Sequence, residues 1–188
     1  VLFFEFKCLH ALKDYQGALA QAEESVSAPY VMTTNNAAFR ASVCAELALR
    51  CNRPIEDIVT HATHAYEERV RGGNPSHIAQ SLNTAFVLLE LKDAEDHAEF
   101  FARHLIDLGR THGSDTTVIR GYLMLMRGAL RAGRIDALRP LVDDIVVAIG
   151  PLEKTNKRAE LMAEVSMLEA TRPPLPSNLP KLKRFLAR

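Results

Sequence analysis

Asp57, His61, His64 and Glu68 follow one another at steps of four, three and four residues, a spacing that sets all four on one face of a helix. Imidazole and carboxylate are the donor types that bind Zn²⁺. One straight helix, however, staggers its ligands along the axis instead of converging them on a point. The expectation is therefore a solvated polar face, then a partner contact, with His61 and His64 the residues a metal would use. His97 and His104, seven apart, read the same way, while His10, His77 and His112 form no constellation. Arg120, Arg127, Arg131 and Arg134 make a second stripe. Guanidinium forks grip carboxylates and phosphates in a bidentate manner, so a solvated ion-paired face, an acidic partner and a nucleic acid are the three readings, in that order. No GxxxxGK[ST], GxGxxG, HExxH or GxSxG occurs, and these are the spacings that phosphate cradles, zinc proteases and serine nucleophiles need. The expectation is a non-catalytic chain with no catalytic residue and no cofactor.

The elements that must position these side chains recur with a period of about 40 residues. Leu12-Lys13-Asp14-Tyr15-Gln16-Gly17-Ala18 is echoed by Leu91-Lys92-Asp93-Ala94-Glu95-Asp96-His97-Ala98 and, more loosely, by Ala132-Gly133-Arg134-Ile135-Asp136-Ala137-Leu138. A further joint lies at Cys51-Asn52-Arg53-Pro54-Ile55-Glu56-Asp57. Each joint separates two stretches with helical spacing, so each repeat is a helical hairpin that must stack on its neighbours to bury its apolar side.

The spacing predicts a helix over Leu2–Leu12 and another over Gln16–Ser27, stopped near Pro29. Thr33 or Thr34 caps a third, through Arg50. Pro54 takes the first helical position of a fourth, with Ile55, Ile58, Val59, Ala62, Ala65, Tyr66 and Val70 as its apolar face and Gly72-Gly73 as its end. Asn74-Pro75 opens a fifth, carrying Ile78, Leu82, Ala85, Phe86 and Leu89 inward. Ala98, Phe101, Ala102, Leu105 and Leu108 mark the sixth. Ser114-Asp115 caps the seventh, with Val118, Tyr122, Leu125 and Ala129 inward. Ile135, Leu138, Val142, Ile145 and Ile149 mark the eighth, and a ninth from Leu152 to Ala170 closes the stack. No run alternates with strand period, so the fold class is all-α.

Composition agrees. The chain has 188 residues, 47% of them apolar, no Trp, and 23 charged residues of each sign. A phosphate-binding chain carries a basic excess, so nucleic acid is disfavoured. The apolar runs are too short for a bilayer span. Cys8, Cys44 and Cys51 are odd in number and lack CxxC spacing, which reads as buried thiols in a reducing, cytoplasmic setting. Val1-Leu2-Phe3-Phe4 begins inside an apolar run without a cap, the expectation for a fragment of something longer. Phe3, Phe4 and Phe6 crowd a terminal helix, whose outer side in a soluble solenoid is normally polar. They are covered by further sequence, by a partner, or by the second helix. After Thr171, four prolines and a run of Lys and Arg form a tail that packs back on the stack or docks elsewhere through Pro173-Pro174-Leu175-Pro176.

The turn with Asp14, an aromatic at Tyr15 and Ala18 four residues after the Asp, together with Pro29 and the Gly133-Arg134 joint, resembles the tetratricopeptide repeat. The resemblance covers about residues 1–150, followed by a closing helix at 151–171 and a Pro-rich basic tail at 172–188. It implies a right-handed stack of about four hairpins whose first helices line a groove that grips a peptide or partner helix. In such a groove Asn36, Arg40, Gln80 and Asn83 hold a peptide backbone or terminal carboxylate. With an acidic partner, Arg40, Arg120 and Arg127 supply the cations. The function expected is a protein-protein interaction module within a larger assembly. The alternative is a regulatory domain that switches an attached ATPase or DNA-binding effector.

Overall fold

A computed structural model of the chain describes residues 13–27, 33–137, 140, 141, 144 and 145. The helices expected at 2–12 and 152–170, Phe3, Phe4, Phe6, Cys8, Pro29, most of the eighth helix and the tail lie outside the described residues. Six helices are described: α1 (Tyr15–Ser27), α2 (Thr34–Arg50), α3 (Ile55–Gly72), α4 (Pro75–Glu90), α5 (Glu95–Thr111) and α6 (Asp115–Arg131). A 3₁₀ turn, Ile135–Ala137, follows. Among the described residues there is no strand, as the sequence predicts. None of the described helices is long and apolar enough to cross a membrane.

The joints carry the repeat in their backbone. Left-handed residues stand at Lys13, Asn52, Asp93 and Gly133, 39, 41 and 40 residues apart. Gly73 and Gly113 are also left-handed and fall midway between them, so every described helix end from α2 to α6 is closed at a step of about twenty residues. At four of these ends the same bond recurs: Arg53 N–H to Ala48 O at 2.9 Å, Ala94 to Leu89 at 3.0 Å, Ser114 to Gly109 at 2.8 Å and Arg134 to Ala129 at 2.8 Å. This is the five-residue closure that satisfies the orphan carbonyls of a helix C-terminus. Gly suits the left-handed position, and Asn and Asp tolerate it better than other residues.

The opposite ends are capped from the sequence. Asp14 Oδ1 accepts from the Gly17 N–H at 2.9 Å, and Thr33 Oγ1 accepts from the Asn36 N–H at 3.4 Å. Asn74 Oδ1 accepts from Ser76 and His77 N–H at 3.0 and 3.3 Å, with Pro75 as the first helical residue. At α3 the expectation shifts by one position. Pro54 has ψ 152° and is the cap residue, outside the helix. Ser114 makes no cap bond to the backbone; its hydroxyl pairs with Thr117 Oγ1 at 2.8 Å.

The chain divides into two compact units, Val1–His97 and Ala98–Arg188. In the first, α1 packs on α2, α2 on α3 and α3 on α4, and α2 also touches α4. Consecutive helices thus pair as hairpins, and the helices that precede successive joints are neighbours. The core beneath α1 is built from Ala18, Leu19, Ala22, Cys44 and Leu47. Small residues here let the backbones approach closely. In the second unit, α5 and α6 meet at two glycines. A Cβ on Gly109 would stand 2.7 Å from Val118 N, and one on Gly121 would stand 2.5 Å from Ile106 Cγ1. Within α6, Val118, Ile119 and every residue from Gly121 to Met126 are buried, a wider band than the single face the spacing predicts.

Candidate interaction surface

The first helix of each hairpin, the one before a left-handed joint, carries the residues singled out for partner binding. On α2, Asn36 is exposed. Arg40 is half-buried, and its Nη1 donates to the Ser25 carbonyl at 3.0 Å, tying α2 to the end of α1. On α4, Gln80 and Asn83 are both exposed, because the buried face runs through Ile78, Ser81, Leu82, Ala85, Phe86, Leu88 and Leu89. These four lie in the first unit. Arg120, exposed, and Arg127, half-buried, lie on α6 in the second.

Val87 on α4 and Leu91 just past its end stand outside the set predicted inward on this helix. Val87 is 36% exposed and Leu91, at the helix end, is 62% exposed. They continue the line of Gln80 and Asn83 at steps of four. Their signal is a negative one, since they are apolar but fall off the predicted buried face.

The Asp57, His61, His64 and Glu68 set is dispersed among separate partners. Asp57 Oδ2 takes Arg53 Nε at 2.9 Å. His61 Nε2 lies 3.4 Å from Glu23 Oε1, so α3 reaches α1. His64 Nε2 lies 3.6 Å from Glu68 Oε1, and Arg71 Nη1 donates to the same oxygen. Glu68 is only 7% exposed, whereas Val70, expected on the apolar face, is 46% exposed. The solvated-face expectation is corrected at Glu68. The buried stripe of α3 runs Ile58, Ala62, Ala65 and Glu68, and the carboxylate survives burial because Arg71 supplies the counter-charge. Among the described residues no three His, Cys, Asp or Glu side chains gather to hold a metal ion.

In the second unit, Arg134 Nη2 donates to Glu99 Oε2 at 3.2 Å and Arg103 Nη2 to Oε1 at 2.5 Å. The Arg103 hydrogen bond is the largest cause holding the Glu99 carboxyl below its ordinary value, and Arg134 adds to it. Arg134 therefore leaves the arginine stripe to link its joint to α5. Arg110 Nη2 donates to the Tyr122 hydroxyl at 2.7 Å; burial first, then the charge of Asp144, pushes that hydroxyl up. Phe100 lies against His104 at 4.1 Å between ring centres, the rings tilted by 42°, and is 46% exposed. In the first unit, burial and the charge of Glu23 push the Cys44 thiol up to about 12, which marks it as a packing residue.

Comparison with known protein families, with curated proteins and with solved structures yields no match.

Proposed function

We propose that this chain is a non-catalytic protein-protein interaction module, a tetratricopeptide-like right-handed solenoid that presents the first helices of its hairpins to a peptide or partner helix. The observation that carries this reading is the return of a left-handed joint at Lys13, Asn52, Asp93 and Gly133. Units that repeat in this way bury their apolar sides against neighbours and leave one side of each first helix to a partner. In the first unit those sides offer Asn36, Gln80 and Asn83, with Arg40 bracing α2. In the second, Arg120 and Arg127 offer guanidinium groups suited to an acidic partner. The buried, weakly acidic Cys44 thiol suits a reducing compartment such as the cytoplasm.

The test is selection of linear peptides from a phage-displayed random library on the whole chain, followed by calorimetric titration of the synthesised winners. Saturable binding at one site is expected. If no selected peptide binds saturably, the reading is withdrawn.

A further inference from the structure

We draw no further inference here: the strongest candidate, the surface patch that exposed Phe100 forms against His104 on α5, carries none, because nothing in the structure shows what covers it.

Discussion

Lys92 donates through Nζ to Oδ1 of Asn52, forty residues earlier in the chain. Asn52 is itself left-handed, and Lys92 immediately precedes left-handed Asp93. Within the first unit, the joints of two successive hairpins therefore lie side by side. Packing of α2 on α4 places the helices before those joints side by side as well. Together the two contacts give a period in space to match the period in sequence.

Gly128 and Gly133, five residues apart, should respond oppositely to the same substitution. Gly128 lies in the interior of α6 with open space where a Cβ would stand. Gly128→Ala should stabilise by about 0.5–1 kcal/mol, the helix cost of glycine. Gly133 has equal space but φ +68°, so Gly133→Ala should destabilise by about 1–2 kcal/mol through backbone conformation alone. Urea denaturation of both variants checks the pair, and a shift of the same sign would contradict the left-handed joint.

Gly121 fails for a different reason. An added Cβ would stand 2.9 Å from the Ala102 carbonyl and 3.0 Å from Ile106 N, both backbone atoms that cannot rotate away. Gly121→Ala should cost about 1–3 kcal/mol, the range for overpacking. Shortening Ile106 in the same chain should not restore the loss, because the backbone contacts remain. Thermal melts of the single and double variants would show it.

Glu99 makes stability depend on acid. Its carboxyl lies below the ordinary value of 4.5, chiefly through the hydrogen bond from Arg103. A depressed folded value means the native state holds fewer protons than the unfolded state across that interval. The stabilisation is then complete above the ordinary carboxylate range and is lost as pH falls through the depressed value. Glu99→Gln should flatten the stability profile below about pH 4.5 and leave the shape near neutrality unchanged, as read from urea midpoints across pH.

Cys44 should be chemically silent in the native chain. With its thiol pushed up to about 12 and its side chain fully buried, it holds almost no thiolate at neutral pH. Iodoacetamide at pH 8 should label Cys44 only after urea is added, and faster labelling of Cys51, which is partly exposed, is expected. Peptide mass mapping resolves the two sites. Native labelling of Cys44 would mean that α1 opens from α2 far more often than their packing implies.

Helix existence and the joints were legible because their signals are local. Asn74-Pro75, Asp14 and Thr33 cap through their own side chains, and the five residues predicted inward on α4 are all buried. What was not legible depends on a neighbour. Glu68 turns inward because Arg71 meets it, and Val70 turns outward in exchange. The wide burial of α6 could not be read from its spacing, since Leu123 and Met124 lie off the face marked by Val118, Tyr122, Leu125 and Ala129. Among the residues proposed for binding, exposure of Asn36, Gln80 and Asn83 follows from helical phase. The bond from Arg40 to Ser25 could not be foreseen, for it needs the place where α1 ends.

Closures that span five residues, repeated at four of the described helix ends, also bear on how the chain gains its structure. Contacts between consecutive helices are short in sequence, and proteins dominated by such contacts fold quickly because little loop entropy must be spent before each one forms. A hairpin such as α2 with α3 can form before its neighbours and then template them, as in other repeat arrays. Hydrogen exchange should consequently be graded along the chain instead of uniform, and the amides of α2 and α3, packed on both sides within the first unit, should be among the last there to exchange.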